Sequence, residues 1–305
     1  MHDCVIIGGG PAGLTAALYL ARAGMDAVLL EKAYTGGQIT LTGEMENYPG
    51  LEEPVAGVVF AQRLESQAKR FGADIRQEQA VSLDLNGRVK RIHTEDHVYE
   101  CRTVILASGA NPKKLGIPGE DRLTGIGVSW CATCDGMFYR DRDVAVIGGG
   151  DTAAEEAIYL SRICRKVYMV HRRDKLRAIS VLAGKVARTD KIEICWQAIP
   201  LEIQGDTSVT GLKVRFLQDG AEKVLAVDGV FIAIGYRPEN ALLAGKVDLS
   251  EDGYILTDEM MQTSVDGVFA AGDIRHKTLR QVVTACADGA VAAQSAEHCC
   301  VAMDV

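Results

Sequence analysis

The chain has 305 residues, a formal net charge of −8, 48% hydrophobic residues and 24% charged residues. This length is sufficient for two domains with buried cores, and the acidic balance excludes general nucleic-acid binding, which needs a basic surface. No apolar run approaches the roughly 18 residues of a membrane span, so we expect no membrane association. Strand-like sequence begins almost at residue 1, so we expect no signal or transit peptide. The nine cysteines are scattered and odd in number, which favours a cytoplasmic location.

The first third of the chain predicts a βαβ unit. Residues 3–7 form a buried strand, residues 11–24 a helix and residues 27–30 the next parallel strand. A further helix is predicted at 58–72, and short alternating strands follow from 74 to 107. This alternation is typical of a Rossmann-like domain.

A second βαβ unit follows the first one. Its predicted elements are a strand at 144–147, a helix at 152–162, a strand at 167–170 and short strands between 192 and 232. The C-terminal segment, with a strand at 268–271 and a helix at about 279–298, is predicted to complete the first domain. Glycine and proline cluster at 112–119 and at 235–238, which predicts linkers where the chain enters and leaves the second domain. We therefore predict an α/β fold with one Rossmann-like domain, 114–239, inserted into a discontinuous one, 1–113 and 240–305.

The first unit carries the glycine fingerprint Gly8-Gly-Gly-Pro-Ala-Gly13. Gly8 permits a tight turn, Gly10 lets the backbone approach a pyrophosphate, and Gly13 lets the helix pack against the sheet. Glu31 follows the second strand, where an acidic side chain accepts hydrogen bonds from ribose hydroxyls. A purely structural glycine turn is the alternative. The strand, helix, second strand and acid in register favour dinucleotide binding.

The second unit carries Gly148-Gly-Gly150-Asp-Thr-Ala153, with alanine as the permitted third small residue. Where the first unit has Glu31, this unit has His171-Arg172-Arg173 and then Arg177. A guanidinium group can form two parallel hydrogen bonds to a 2′-phosphate, whereas a carboxylate repels it. The second nucleotide is therefore predicted to be NADPH rather than NADH. A solvated charge run at a helix start is the alternative.

A cysteine pair, Cys131-Ala-Thr-Cys134, precedes the second fingerprint and is followed at once by Asp135. Zinc is a poor fit because a structural site needs four ligands, and a chance pair of core cysteines does not explain the neighbouring residues. Thiol–disulfide exchange needs an attacking thiolate and a resolving partner, which this pair supplies. Asp135 is placed to move a proton as a general acid–base, or else it is a turn or capping carboxylate.

The cysteine pair is predicted to lie on the NADPH domain. If a flavin is bound in the first domain, the nicotinamide and the disulfide must both reach it from one mobile domain. We therefore expect the two to alternate by rigid rotation about the linkers. The vicinal pair Cys299-Cys300 is expected to consist of exposed spectator thiols.

Together these residues resemble the low-molecular-weight, bacterial-type thioredoxin reductases, a branch of the pyridine nucleotide–disulfide oxidoreductases. The resemblance covers essentially the whole chain. Besides the two fingerprints and the cysteine motif, it includes Gly36-Gly37-Gln38, Glu46-Asn47-Tyr48-Pro49-Gly50, the run from His171 to Arg177, Gly267-Val-Phe-Ala-Ala-Gly-Asp273 and Arg280-Gln281.

The resemblance implies FAD in the discontinuous domain and NADPH in the inserted one. The predicted FAD contacts are Gly8, Gly10, Pro11, Ala12, Gly13, Glu31, Gly37, Gln38, Asn47, Val81, Gly109, Gly272, Asp273, Arg280 and Gln281. The predicted NADPH contacts are Gly148, Gly150, Asp151, Thr152, Ala153, His171, Arg172, Arg173, Arg177 and Gly235. The resemblance also implies that Cys131 attacks the thioredoxin disulfide, that Cys134 faces the flavin, and that the protein is a homodimer.

Three other functions remain open at this point. A flavin-dependent dithiol oxidase or a ferredoxin-fed disulfide reductase on the same scaffold would not need the cluster at His171, Arg172, Arg173 and Arg177. A non-catalytic nucleotide sensor would have no use for Cys131 and Cys134. The sequence therefore predicts a thioredoxin-disulfide reductase, which passes electrons from NADPH through FAD and the cysteine pair to thioredoxin or a thioredoxin-like protein.

Overall fold

The computed structural model describes residues 1–42 and 44–303. Strands β1 to β17 are, in chain order, His2–Ile7, Ala27–Leu30, Asp74–Arg76, Ser82–Asp84, Lys90–His93, Val98–Leu106, Ala110–Pro112, Val128–Ser129, Asp143–Gly148, Lys166–His171, Ile192–Trp196, Ala198–Gln204, Gly211–Phe216, Glu222–Leu225, Gly229–Ala233, Tyr236–Pro238 and Val268–Ala270. Helices α1 to α7 are Pro11–Arg22, Gly57–Arg70, Glu120–Leu123, Ala132–Asp135, Asp151–Ser161, Ser180–Ala187 and Val282–Met303.

The chain divides into two compact units. The first consists of Met1–Thr40, Tyr48–Asn111 and the chain from Arg237 onward, and the second of Leu41–Asn47 and Pro112–Tyr236. Two of the four boundaries between these segments lie in β7 and β16, which pair as a two-stranded sheet. The sequence placed residues 41–47 in the first segment, whereas in the structure they group with the second unit.

The sheet of the first unit has the order β3-β2-β1-β6-β5-β4, and β17 also pairs with β6. β1 runs parallel to both β2 and β6. Alternate residues of β1 enter different cores: Cys4 and Ile6 pack with α1 and α7, and Val5 packs in the cluster on the opposite face. Both faces are thus covered, which explains why the central strands are continuously apolar.

The second unit has a parallel sheet of order β11-β10-β9-β15-β8 and a separate antiparallel sheet, β12-β13-β14. Helix α5 follows β9 and buries three alanines, Ala153, Ala154 and Ala157, completely. These small side chains let the helix lie close to the sheet, as the third small residue of the fingerprint predicts.

The expectation of an exposed pair at Cys299 and Cys300 was wrong for Cys300, which is 2% exposed. Both thiols are unbonded cysteines of α7. Because one side of α7 packs on β1 and β6, the Cys300 Sγ lies 3.8 Å from the Thr103 Oγ1. The terminal helix is therefore part of the core, and its cysteines are structural neighbours of the first sheet.

The described helices include none that is both long enough and apolar enough to cross a membrane.

Candidate redox and nucleotide sites

The first glycine loop joins β1 to α1 with space for a ligand. Gly8 has φ 107°, and a Cβ there would collide with the Ala107 carbonyl oxygen. A Cβ at Gly13 would collide with the Gly8 carbonyl oxygen, but one at Gly10 would meet nothing within 4 Å. The loop is therefore closed on its sheet side and open above Gly10, the position where the fold seats a pyrophosphate.

Glu31 supports this loop from the end of β2. Its Oε2 accepts a hydrogen bond from the Gly9 NH at 2.7 Å, and its Oε1 accepts one from the Ala33 NH at 3.0 Å. A carboxylate offers about four acceptor positions, so both oxygens keep capacity for a ribose hydroxyl. Glu31 is thus held in place by backbone NH groups before any ligand binds.

The predicted residues Gly37 and Gln38 lie against the same loop. The Gly36 NH donates to the Gly9 carbonyl oxygen at 2.7 Å, and a Cβ added at Gly37 would lie 3.4 Å from the Gly10 Cα. The Gln38 side-chain amide donates to the Ala110 carbonyl oxygen. The 3₁₀ turn Gly37–Leu41 therefore forms one wall of the open space.

A second wall comes from the chain after β17. A Cβ at Gly272 would lie 2.8 Å from the Ala12 Cβ, so this segment touches the start of α1. Asp273 Oδ1 is buried without a hydrogen-bond partner among the described residues, and burial raises the pKa of the Asp273 carboxyl. An orphaned buried carboxylate oxygen is what a bound hydroxyl would satisfy.

Arg280 shows the same signature. Its guanidinium carbon lies 4.1 Å from the centre of the Tyr254 ring, and its Nε is buried without a partner among the described residues. The neighbouring Gln281 uses its backbone NH to contact the Thr284 hydroxyl at 3.2 Å. The stacked guanidinium is thus fixed in direction while one of its donors remains available.

Sequence reasoning missed the ion cluster that supports this wall. Asp288 is 8% exposed and contacts Arg275 at 3.0 Å and Lys277 at 2.8 Å. It also accepts a hydrogen bond from the Gly272 NH at 3.0 Å. An acid inside the apolar helix α7, preceding Gly289, was the available signal.

The remaining predicted FAD contacts are spread more widely. The Val81 NH donates to the His93 carbonyl oxygen at 2.7 Å, and the Gly109 carbonyl oxygen accepts from the Glu239 NH at 3.0 Å. Asn47 belongs to the stretch that groups with the second unit. The roles of these three residues stay predictions.

The second glycine loop, between β9 and α5, repeats the design of the first. A Cβ at Gly148 would collide with the Ala233 carbonyl oxygen, whereas one at Gly150 would meet nothing within 4 Å. Asp151 begins α5, and its Oδ1 accepts a hydrogen bond from the Ile179 NH at 2.8 Å. Thr152 is exposed at the same helix start.

The chain after β10 folds over this loop. The Arg177 NH donates to the Gly149 carbonyl oxygen at 2.7 Å. The side chains of Arg172, Arg173 and Arg177 are exposed, and none forms an ion pair with the described acidic residues. Uncompensated guanidinium groups beside a pyrophosphate seat fit a second phosphate group.

His171 occupies a different place from the arginines. Its ring is 5% exposed and packs beneath Gly149, where a Cβ would collide with it. One ring nitrogen lies 3.0 Å from the Lys175 carbonyl oxygen, and burial lowers the pKa of His171. The ring is therefore a neutral support of the loop, and its contact with NADPH stays a prediction. Gly235, the last predicted contact, accepts a hydrogen bond from the Lys113 NH at 2.9 Å.

The redox segment lies in the same unit as the second loop. Cys131 and Cys134 form a disulfide, with Cα atoms 5.3 Å apart across the start of α4. The Cys131 carbonyl oxygen accepts hydrogen bonds from the Cys134 and Asp135 NH groups. The Cys131 NH donates to the Ser129 hydroxyl at 3.1 Å. The backbone thus holds the two sulfurs within bonding distance on one helical turn.

A carboxyl group accompanies this disulfide. Burial raises the pKa of Asp135, against a hydrogen bond from Ser129 that acts in the opposite direction. Asp135 Oδ1 is buried without a hydrogen-bond partner among the described residues. A carboxyl group with a raised pKa holds its proton closer to neutral pH and can donate it to a leaving thiolate.

The described residues contain no group of three or more His, Cys, Asp or Glu side chains that could hold a metal ion.

The chain has two glycine loops, which are open above Gly10 and Gly150, and one disulfide between neighbouring cysteines. Together these features define a two-nucleotide redox protein. Residues 2–289 match the family model described as pyridine nucleotide-disulphide oxidoreductase. The chain belongs to this family.

Similar proteins cover nearly the whole chain. A thioredoxin reductase of Peptoclostridium acidaminophilum is 48% identical over 303 residues, covering 97% of this chain and 96% of that one. A bifunctional thioredoxin reductase/thioredoxin of Mycobacterium leprae is 46% identical over 300 residues, covering 98% of this chain and 66% of that one. The crystal structure of thioredoxin reductase from Streptococcus pyogenes MGAS5005 superposes with a TM-score of 0.95 at 41% identity and covers 99% of each chain.

These findings confirm the predicted fold class, two Rossmann-like domains, and the predicted cofactors, FAD and NADPH. The residues fit these groups. The first unit offers an open loop, an orphaned carboxylate oxygen at Asp273 and an orphaned donor at Arg280. The second offers an open loop beside three exposed arginines. The protein is an NADPH-dependent disulfide oxidoreductase.

Proposed function

We propose that this enzyme uses NADPH to reduce the disulfide of thioredoxin or of a thioredoxin-like protein. The observation that carries the proposal is the Cys131–Cys134 disulfide, closed on one helical turn next to Asp135. The relatives named above support it, since one is a thioredoxin reductase and another carries reductase and thioredoxin in one chain.

The two glycine loops divide the cofactors between them in this proposal. Asp273 and Arg280 line the FAD side, where their orphaned atoms bind polar groups of the cofactor. Arg172, Arg173 and Arg177 bind the 2′-phosphate of NADPH and so select it over NADH. FAD, when bound, supplies the transfer of two electrons from the nicotinamide to the disulfide.

The dithiol chemistry belongs to the chain itself. Once the disulfide is reduced, the Cys131 thiolate attacks one sulfur of the partner's disulfide and forms a mixed disulfide. Cys134 then attacks Cys131, which closes the internal disulfide and releases the partner as a dithiol. Asp135 gives a proton to the leaving sulfur, and two electrons and two protons have then moved to the partner.

We further propose a cytoplasmic homodimer. The dimer rests on the family resemblance. The compartment is supported by the state of the other seven cysteines, which are all unbonded in the described chain, as expected where thiols are kept reduced.

A coupled assay tests the proposed function. Wild-type enzyme with NADPH and thioredoxin should reduce insulin disulfides, and NADH should support a much lower rate. Cys131→Ser should abolish insulin reduction, yet NADPH should still bleach the yellow flavin under anaerobic conditions. Normal thioredoxin turnover by Cys131→Ser would refute the relay. A colourless protein that does not take up FAD would refute the whole scheme.

A further inference from the structure

Helix α5 places a second acidic side chain beside the redox disulfide. Glu156 Oε1 accepts a hydrogen bond from the Ala132 NH at 3.3 Å. Ala132 directly follows Cys131 in the sequence and is fully buried. Glu156 Oε2 is buried and has no hydrogen-bond partner in residues 1–42 and 44–303. The side chain therefore holds the redox segment with one oxygen and keeps the other unpaired.

The surroundings of Glu156 oppose its negative charge. Burial raises the pKa of Glu156 to about 7, the Ala132 NH acts in the opposite direction, and the charge of Glu155 adds to the rise. None of the causes of this shift is a cation. The carboxyl group is consequently poised between its charged and neutral forms near neutral pH.

The redox segment facing Glu156 carries only groups that are neutral or become negative. These are the two cysteines and Asp135, whose pKa burial raises, and beyond them Tyr139, whose pKa burial raises to about 12. A thiolate formed here on reduction therefore adds negative charge to a site without a cation among these groups. Protonation of a neighbouring carboxylate relieves that repulsion.

We propose that Glu156 is a positioning residue of the redox segment, which anchors the Ala132 NH and takes up a proton when the Cys131–Cys134 disulfide is reduced. This inference rests on the proposed function, because it concerns the same dithiol. It assigns Glu156 a role distinct from that of Asp135: Asp135 donates to a leaving sulfur, and Glu156 compensates the charge that stays behind.

The step balances as follows. The S–S bond breaks and accepts two electrons from the reduced cofactor, or from glutathione in the test below. One solvent proton produces a thiol, the other sulfur remains a thiolate, and a second solvent proton neutralises the Glu156 carboxylate. Reoxidation by the partner disulfide returns both protons. Above a pH of about 7, reduction therefore consumes one more proton than it would without an ionisable group at position 156.

The test measures the dithiol–disulfide equilibrium of the holoenzyme in glutathione redox buffers, without NADPH, by alkylating thiols and determining mass. Glu156→Gln keeps an acceptor oxygen for the Ala132 NH but cannot take up the proton. The quantity to compare is the equilibrium constant for reduction of wild type divided by that of Glu156→Gln. Below a pH of about 7, this ratio should not change with pH. It should then fall about fivefold by a pH of about 8, because only wild type must supply the extra proton.

Two further variants separate anchoring from proton uptake. Glu155→Gln removes a neighbouring charge that raises the pKa of Glu156, so its equilibrium should keep the wild-type decline and begin it at a lower pH. Glu156→Ala also removes the anchor, so its disulfide should open more slowly at every pH while its equilibrium follows that of Glu156→Gln. If Glu156→Ala fails to fold, the comparison with Glu156→Gln still decides.

A ratio between wild type and Glu156→Gln that stays constant across this pH range would overturn the inference and leave the proposed function intact. Failure of NADPH to open the wild-type disulfide in a parallel sample would instead overturn the proposed function.

Discussion

The two glycine loops have the same backbone plan and opposite side-chain chemistry. In each loop, a Cβ on the first glycine, Gly8 or Gly148, would collide with a carbonyl oxygen of the sheet, while Gly10 and Gly150 face open space. The small residue three positions further on, Gly13 or Ala153, lets the helix pack closely. After the second strand, the first unit has Glu31 bonded to the Gly9 NH. The second unit has exposed arginines that are not paired with described acids. In the proposed function, the shared part seats a pyrophosphate and the part that differs selects the nucleotide.

The two units also differ in how their polar groups are prepared for a ligand. The first buries a carboxylate oxygen of Asp273 and a donor of Arg280 without partners, at a cost that a permanently bound cofactor removes. The second unit keeps its arginines exposed to solvent, where a guanidinium group without a bound ligand costs little free energy. This contrast fits a resident cofactor in the first unit and an exchanging one in the second.

The largest predicted effect comes from closing one loop at a time. Gly8→Ala should give a colourless protein, because its Cβ would collide with the Ala107 carbonyl oxygen and displace the loop. Gly148→Ala should give a yellow protein that NADPH no longer bleaches, because its Cβ would collide with the Ala233 carbonyl oxygen. The visible absorbance before and after NADPH addition measures both.

Gly10→Ala is the matched control for steric displacement. Its Cβ meets no protein atom within 4 Å, so the melting temperature of the protein prepared without FAD should be nearly unchanged while FAD affinity falls. Retention of full FAD by Gly8→Ala would mean that the first loop is not the flavin seat.

A smaller effect is expected from the acid beside the disulfide. Asp135→Asn should slow thioredoxin reduction about a hundredfold, in the range typical of a lost general acid. Since a donor must be protonated, the wild-type rate should fall as pH rises through the raised pKa of Asp135, and the variant should lose this decline. The pH profile of turnover measures both effects.

Ser129→Ala sharpens this prediction. The Ser129 hydrogen bond lowers the pKa of Asp135, so its removal should move the decline to higher pH. A pH profile of Asp135→Asn that retains the wild-type decline would assign that decline to another group.

The sequence was sufficient for features that a local pattern encodes. The glycine loops, Glu31, the arginines after β10 and the Cys131–Cys134 pair all follow from fixed spacings within a βαβ unit or a short motif. Helix α6 was missed because Ser180–Ala187 follows a charged stretch without a clear start signal.

Features that depend on distant packing could not be predicted in this way. The sequence alone does not distinguish Glu156 from its neighbour Glu155 on α5, and only the contact with Ala132 does so. Asp288 finds Arg275 and Lys277 through the tertiary fold. Cys300 is buried because α7 packs on the first sheet. Each of these depends on which face of a helix meets a partner, and spacing alone does not settle that.

The smallest predicted effect concerns the choice of nucleotide. Replacing both Arg172 and Arg173 by alanine should raise the KM for NADPH about tenfold to a hundredfold, since hydrogen bonds to charged groups contribute about 1.5–3 kcal/mol. The KM for NADH should hardly change, because NADH lacks the 2′-phosphate. Steady-state kinetics with each nucleotide measures the ratio.

Arg165→Ala provides the charge-matched control. Arg165 pairs with Asp143 at the start of β9, and the glycine loop follows the other end of this strand. Loss of the Arg165 side chain should therefore leave both KM values unchanged. Equal increases for NADPH and NADH in the double variant would show that the arginines do not read the 2′-phosphate.

The most direct test is an anaerobic NADPH titration of wild type and Cys131→Ser, followed by flavin absorbance. If electrons pass from the second unit's nucleotide through the flavin to the disulfide, wild type should consume one more equivalent of NADPH than Cys131→Ser before the flavin is fully bleached. Equal consumption by the two proteins would contradict the account, because the disulfide would then lie outside the path of the electrons.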